Sequence, residues 1–578
     1  MTTGITAPTS APSAPSASPA PPSAEPGHTG SAGSGAGRRL RRHWATALLV
    51  CTAGFLGVLG PLLLSVHTGS VSIPHNDTWA FSRTAQIFAD TGHIVLFNWN
   101  AMSLLGMIVP LGPLGASITA QAFVIAGLAL LALAAIFDLL RTYCGARRAA
   151  LGLLIIAVWP GFGLISTSLM TDIPALVAVT VTLALGRRAL ERGSFPLLAL
   201  AAVVGFWGFS VREQVIAAPL GVFAAALPRP EFRTRASIKR MVAILAPLCV
   251  LAAGFELWRR GMAGGGSPSF DYESFPGVGS VLMYILSGWL LLGLILSPLV
   301  FLVARPRSWG RRERRVAGVT FFVLANAALW FHLILPQNYL SVAGPYSGAF
   351  LGNRADVIPQ TVWDVLTPLG CVSAALLAGA LVGRMRRLRP ELALYTLFMI
   401  AGTVLELIEG QVLFDRYVLP LALPIIALLL SEPLRRPDFS KRELRARVAL
   451  GGAAGLFVAG LTSLMTANAL AFDAATWHTA QQIVDSGKAS AAYVDAGLDW
   501  TGYHSPNGMQ DEGDLFALRD IYGYSPRLGH DQPCYVVASR PQSAPDWTLV
   551  ATPTYRVYGF FGNEETLDVY RTQLFVCQ

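Results

Sequence analysis

Apolar runs of about 20 residues recur along this chain, separated alternately by short connections rich in arginine and by connections that carry acids and aromatics. The first run, from about Trp44 to Val66, follows Arg38, Arg39, Arg41 and Arg42. It is long enough to cross the hydrocarbon core as a helix, whereas a signal peptide would have a shorter apolar stretch and a small-residue cleavage site. Further runs at about 118–140, 150–168, 173–189, 195–210, 214–228, 241–258, 279–303, 317–335, 363–383, 391–409, 414–431 and 448–468 predict helices, making 13 spans in all. Within the loop 67–117, Phe81, Ala85 and Phe88 followed by Gly92 predict a short amphipathic helix from Thr78 to Thr91, with Trp79 suited to the headgroup region. Beyond about 470 the pattern turns polar. The turn Ser505-Pro506-Asn507-Gly508 and the alternation in Tyr555-Arg556-Val557-Tyr558 and Leu567-Asp568-Val569-Tyr570 predict a small α/β domain that opens with a helix around 474–484. The expected architecture is mainly α: a polytopic membrane protein with about 13 transmembrane helices over 44–469 and an extracytoplasmic α/β domain at 470–578.

Composition agrees with that reading. The 578 residues are 53% hydrophobic and only 13% charged, with a mean hydropathy of +0.51, too apolar for a chain that must cover a soluble surface with charge. The net charge of +9 does not point to nucleic acid, because the basic residues lie in short loops rather than on one soluble face. Most of them fall in every second connection: Arg141, Arg147 and Arg148; Arg187, Arg188 and Arg192; and the groups between Arg229 and Arg240, Arg305 and Arg315, Arg384 and Arg389, and Arg435 and Arg447. The positive-inside rule puts these in the cytoplasm of a multi-pass plasma-membrane protein, and an odd number of spans puts the C-terminal domain outside. Residues 1–43 form the cytoplasmic tail; to about 37 they are Ala, Pro, Ser, Thr and Gly with one acid, Glu25, and are expected to be disordered.

The outer connections hold the candidate chemistry. Asp77 opens the predicted helix of the loop 67–117, and Asp172 opens a span in Met170-Thr171-Asp172-Ile173-Pro174. Aspartate is also a favoured N-cap, so both acids have a purely structural alternative. Asn76-Asp77-Thr78 matches the short and common N-glycosylation pattern as well. An acid in the first outer loop, an amphipathic helix after it, Val109-Pro110-Leu111-Gly112-Pro113-Leu114, Thr171-Asp172-Ile173-Pro174 and Phe414-Asp415-Arg416-Tyr417-Val418-Leu419-Pro420 together resemble the GT-C glycosyltransferases. Within these, the similarity is to the protein O-mannosyltransferase and aminoarabinose-transferase branch, over roughly 45–430.

The resemblance implies transfer of a sugar from a polyprenyl-phosphate donor to a glycan, lipid or protein acceptor at the outer face. Asp77 then stands as general base, with Asp172 beside it at the end of a neighbouring span. Arg212, Arg416 and Arg354, and less directly Arg83 and Arg260, are candidates for the leaving phosphate, since a planar guanidinium donates two parallel bonds to it. His75, Glu213, Asp415 and Tyr417 are supporting candidates. The competing partners for Arg212 are Glu213 and Asp172, and those for Arg416 are Asp415 and Glu409. Because Asn76 and Thr78 flank Asp77, the paired acids of many relatives are missing and no metal or bound cofactor is expected; His75, Asp77 and His93 form only a loose mixed set. Cys51, Cys144, Cys249 and Cys371 read as reduced packing residues, while Cys534 and Cys577, both in the outer domain, predict a disulfide. The tail aromatics Trp477, Trp500, Tyr503, Tyr522 and Tyr524 suit core packing more than stacking on sugar. The alternative function is a transporter or flippase of a lipid-linked or small solute, which should show inverted repeats and polar groups near the midplane; a lipid-linked-sugar polymerase or ligase is a further one.

Overall fold

The computed structural model describes residues 33–75, 77–97, 102–262, 276–333, 335–336, 338–342, 344–345, 357–432, 440–504, 533–539, 541, 547–558, 564–572 and 577. It comprises two compact units, Met1–Ala45 and Thr46–Gln578. In the first, the described part is the start of the Gly33–Gly54 helix, which begins ahead of the Trp44 boundary expected from hydropathy.

Eight described helices are long and apolar enough to cross a membrane: His43–Thr68, Ile118–Cys144, Asp172–Arg192, Arg235–Arg260, Val278–Ile295, Gln360–Val382, Pro390–Ile408 and Lys441–Asp485. Of the other expected spans, Ala146–Ala157, Phe195–Phe209, Ala217–Ala226 and Asp415–Leu429 are shorter helices, and Arg311–Phe331 opens with four arginines. Several starts are fixed by side chains that replace the missing first-turn acceptors: Ser117 accepts from the Ala120 N–H, Thr234 from Ser237 and Ser440 from Glu443. Leu329, Trp330, Phe331 and Leu456 are 70–78% exposed, a cost in water that an acyl-chain environment removes. The Asp172–Arg192 helix packs on Ile118–Cys144 and Phe195–Phe209, and Ala217–Ala226 packs on Pro390–Ile408. These helices, with Asp415–Leu429, frame the site described below.

Two expectations are corrected. Lys441–Asp485 is one helix of 45 residues rather than a span followed by a separate domain helix. No glycine or proline occurs between Gly460 and Gly487 to stop it, and at 1.5 Å per residue it reaches roughly 70 Å, well beyond the hydrocarbon core. Trp79 is not at a membrane interface. It is fully buried in the predicted Thr78–Thr91 helix, 6.0 Å from the Phe97 ring, and lies so close to Gly502 that a Cβ there would overlap the indole.

The C-terminal domain is α/β. A four-stranded sheet in the order β1 (Val494–Asp495), β2 (Tyr535–Ala538), β6 (Asp568–Arg571), β3 (Thr548–Ala551) is parallel at β1/β2 and antiparallel elsewhere, and β4 (Thr554–Arg556) pairs with β5 (Glu564–Thr566). Cys534 and Cys577 are disulfide-bonded, with Cα atoms 5.7 Å apart. Trp477 and Trp500 meet edge to face at 4.9 Å and both are buried, so these aromatics are core. Tyr522 and Tyr524 lie outside the described residues.

Two titrations in this domain oppose each other. Burial, and then the charge of Asp473, push the Asp499 carboxyl up to about 7. Burial, and then Arg83, push the His504 imidazole down to about 4. Between about pH 4 and 7 the folded state holds a proton on Asp499 that the unfolded chain has released, so this group lowers stability as pH rises. Between about pH 4 and 6.5 the unfolded chain holds a proton that folded His504 lacks, so this group raises stability as pH rises. Each effect is worth roughly a few kcal/mol, because every tenfold difference in proton affinity between the folded and unfolded chain corresponds to about 1.4 kcal/mol. In a scan of Tm from pH 4.5 to 6.5, D499N should therefore climb more steeply than wild type and H504Q should fall relative to it. Parallel curves for all three proteins would refute the assignment.

Candidate functional site

Asp77 precedes the Thr78–Thr91 helix, but its side chain accepts no first-turn N–H. Instead, Arg416 Nη2 donates to Asp77 Oδ2 at 3.2 Å, and the carboxylate remains 23% exposed while the guanidinium is 6% exposed. The cap alternative is thus not what occupies this carboxylate. Arg416 sits in the first turn of Asp415–Leu429, and its Nη1 reaches the Tyr339 hydroxyl at 3.4 Å. Gly161 makes room for that tyrosine, since a Cβ at this left-handed position (φ 77°) would overlap the Tyr339 ring.

A second acid–arginine pair stands beside the first. Arg212 Nη1 donates to Asp172 Oδ1 at 2.6 Å, and Asp172 Oδ2 is buried with no hydrogen-bond partner among the described residues. The Tyr417 ring connects the pairs: the Arg212 guanidinium lies 4.5 Å and that of Arg416 5.3 Å from its centroid. Beneath them is a cavity of about 30 Å³. Its lining combines the apolar Ala175, Leu176, Val179, Val215, Met399, Leu419 and Pro420 with Asp172, Arg212, Gln214, Arg416 and Tyr417. The space is water-sized. It is a largely apolar slot between helices with two guanidinium groups in its lining.

Asp77, Asp172, Arg212, Arg416 and Tyr417 therefore come together from segments far apart in the chain. Other expected residues do not join them. Asp415 is fully buried, and its Oδ2 accepts the backbone N–H groups of Tyr339 and Leu340 at 2.8 and 2.7 Å. Together with the Trp159 indole, which donates to the Asp415 carbonyl at 3.1 Å, it fastens the 338–342 segment over the helix start. Neither Asp415 nor Glu409 is the carboxylate that meets Arg416. Glu213 is 56% exposed and faces Arg259 at 3.5 Å, leaving Arg212 to Asp172. Arg260 is paired with Glu256, and Arg83 donates to the Gly502 carbonyl at 3.0 Å while lying over Phe97. His75 Nδ1 is 2.7 Å from Asp473 Oδ2 and His93 is exposed, so the mixed set with Asp77 is not gathered; among the described residues no three His, Cys, Asp or Glu side chains are grouped for a metal. Arg354 and Asn76 lie outside the described residues. Gln214, whose Nε2 donates to both oxygens of Glu406 at 2.8 and 2.6 Å, and Tyr339 are additions to the site that no sequence pattern marked. Asp473 did carry a signal, as a lone acid in Ala469-Leu470-Ala471-Phe472-Asp473-Ala474-Ala475.

Residues 103–257 match the family model of dolichyl-phosphate-mannose-protein mannosyltransferases, a stretch that includes Asp172, Arg212 and the slot residues Ala175, Leu176, Val179, Gln214 and Val215. Among solved structures, the fold is similar to the Archaeoglobus fulgidus oligosaccharyltransferase in complex with zinc and sulfate, at 14% identity and a TM-score of 0.40 over 77% of this chain and 56% of that one. It is also similar to the aminoarabinose transferase ArnT from Cupriavidus metallidurans bound to undecaprenyl phosphate, at 12% identity and a TM-score of 0.38 over 79% of this chain and 74% of that one. A third is the archaeal oligosaccharyltransferase AglB from Archaeoglobus fulgidus with an inhibitory peptide and a dolichol-phosphate, at 17% identity and a TM-score of 0.39 over 78% of this chain and 59% of that one. The chain thus spans little more than half the length of the oligosaccharyltransferases. No curated protein sequence matches it.

Proposed function

We propose that this chain is a membrane glycosyltransferase that moves a hexosyl or pentosyl group from a polyprenyl-phosphate donor to an acceptor hydroxyl, with Asp77 as general base. The observation that carries this reading is the pair of guanidinium groups, Arg212 and Arg416, that line one largely apolar slot together with Asp172 and Tyr417. A polyprenyl phosphate brings an anionic head suited to two guanidinium forks; the water-sized space can take a small part of the ligand and not its isoprenoid chain. The family match over 103–257 supports the same class. The charge pattern of the loops supports an outer-side position for this end of the helices.

Charge balance describes the reaction. Two arginines and two aspartates sum to zero at rest, with Asp77 engaged by Arg416. A donor phosphodiester brings one negative charge and competes with Asp77 for Arg416. The carboxylate so released accepts the proton of the acceptor hydroxyl as its oxygen attacks the anomeric carbon. The bond from that carbon to the phosphate oxygen breaks, and the pair of electrons leaves with polyprenyl phosphate, whose second charge appears as Asp77 is neutralised. The total charge in the site stays constant through the step, and single displacement inverts the anomeric centre. Asp172 holds Arg212 in place for the phosphate. No cofactor takes part in this scheme.

Lipid binding tests the assignment of the slot. Full-length protein in nanodiscs should bind undecaprenyl phosphate and discriminate against undecaprenol, which has the same chain without the anion, by at least about 10-fold, the effect of one charge-assisted bond of about 1.5 kcal/mol. Equal affinity for the two lipids would remove the arginines from phosphate recognition.

A further inference from the structure

The loop that presents Asp77 is held from the far end of the chain. His75, two residues before the proposed base, is 1% exposed, and its Nδ1 is 2.7 Å from Oδ2 of Asp473, which is fully buried within the Lys441–Asp485 helix. One turn further along the same face, Trp477 Nε1 donates to Asp499 Oδ2 at 2.8 Å. Asp499 opens the buried Leu498–His504 helix, which then grips the other side of the loop. Gly502 lies against the Trp79 indole, its carbonyl accepts from Arg83, and the Tyr503 hydroxyl donates to Gln86 Oε1 at 2.6 Å. Asp77 therefore stands between two attachments to the C-terminal domain, His75 on one side and Trp79, Arg83 and Gln86 on the other. Its own capping interaction is missing. With the side chain committed to Arg416, the position of the carboxylate depends on what fixes the flanking backbone.

We propose that His75 and Asp473 are positioning residues for Asp77, and that the C-terminal domain acts as a splint for the base. The inference rests on the reading of Asp77 as the base. A buried imidazole–carboxylate bond is short, directional and shielded from water, so it locks the loop in a way that apolar packing alone does not. A general base contributes only when it is held close to the proton it takes, and a displacement of about 1 Å costs on the order of 100-fold. The lipid-phosphate subsite belongs to other helices and does not use this bond. The two functions are therefore separable: loss of the His75–Asp473 bond should slow the transfer step without weakening phosphate binding.

The test uses full-length protein in nanodiscs, with undecaprenyl phosphate as binding probe and, for turnover, undecaprenyl-phosphate mannose or whichever polyprenyl-phosphate sugar wild type accepts. H75A and D473A should bind undecaprenyl phosphate at least as tightly as wild type and with the same stoichiometry, yet turn over roughly 10- to 100-fold more slowly per bound lipid, in kcat. The double variant should be no slower than the slower single one, because both remove the same bond. H75N, whose amide nitrogen takes the place of Nδ1, should recover most of the rate, and H75Q, whose amide takes the place of Nε2, should not. A purely structural role would lower Tm and yield but leave turnover per bound lipid at the wild-type value. Full turnover in H75A and D473A, with D77N inactive, overturns the positioning role and keeps the base; an active D77N overturns the base itself. Where the alanine variants do not fold, H75N and H75Q decide, and equal turnover in these two overturns the proposal.

Discussion

D77N should lose sugar transfer by a factor on the order of 10² to 10⁴, the usual contribution of a positioned general base, while still binding undecaprenyl phosphate at least as tightly as wild type. The second half of that expectation follows from the resting pair. In the wild-type protein the Asp77 carboxylate holds Arg416 at 3.2 Å and so competes with the donor phosphate for the same guanidinium. Asparagine removes the charge, keeps the shape and leaves Arg416 to the phosphate. Folding should suffer less than on outright removal of the side chain, because asparagine keeps an acceptor for Arg416, the replaced carboxylate is 23% exposed and it caps no helix. Tight binding without turnover separates a lost base from a lost binding site. Retained transfer in D77N, measured by product formation in nanodiscs, would leave Asp77 as no more than the partner that holds Arg416.

R416K and R212K should show the converse, a donor KM raised roughly 10- to 100-fold with little change in the KM of the acceptor. Hydrogen bonds to charged groups are worth about 1.5–3 kcal/mol, and lysine keeps the charge while losing the planar fork that bonds two phosphate oxygens at once. Lysine is also the informative substitution. Both arginines are largely buried against a carboxylate, and removing one partner of such a pair outright costs about 3–5 kcal/mol, enough to confuse lost binding with lost fold. Arg416 should be the more sensitive of the two, since it also bonds the Tyr339 hydroxyl. Initial rates at varied donor and fixed acceptor give the answer. A change confined to the acceptor KM in both variants would move the arginines out of the donor site.

Much of the fold is legible along the chain because membrane helices are written in long apolar runs. The candidate site is legible only as a set of acids and arginines near helix ends. The resemblance to GT-C enzymes gathers Asp77, Asp172, Arg212 and Arg416 at one end of the helices, yet which acid meets which arginine depends on contacts between distant segments. Asp415 adjoins Arg416 in sequence, but its carboxylate turns to the N–H groups of Tyr339 and Leu340, and it is Asp77, 339 residues away, that takes the guanidinium. Trp79 has the character of an interfacial residue, and only the arrival of Gly502 over its ring makes it core. The 45-residue helix hides a domain boundary for a related reason: the composition changes near residue 470 while the backbone meets no residue that would end the helix. Asp473, an acid in an apolar stretch, marks the site of a buried bond without naming His75 as its partner.

Reconstitution of the full-length protein with a panel of polyprenyl-phosphate-linked hexoses and pentoses, followed by mass spectrometry of the lipid and acceptor fractions, tests the central claim most directly. The account predicts that at least one donor is consumed with stoichiometric release of free polyprenyl phosphate and appearance of the sugar on an acceptor hydroxyl with inverted anomeric configuration. Movement of an intact lipid-linked sugar across the bilayer with no cleavage of the sugar–phosphate bond would contradict it and make the protein a flippase.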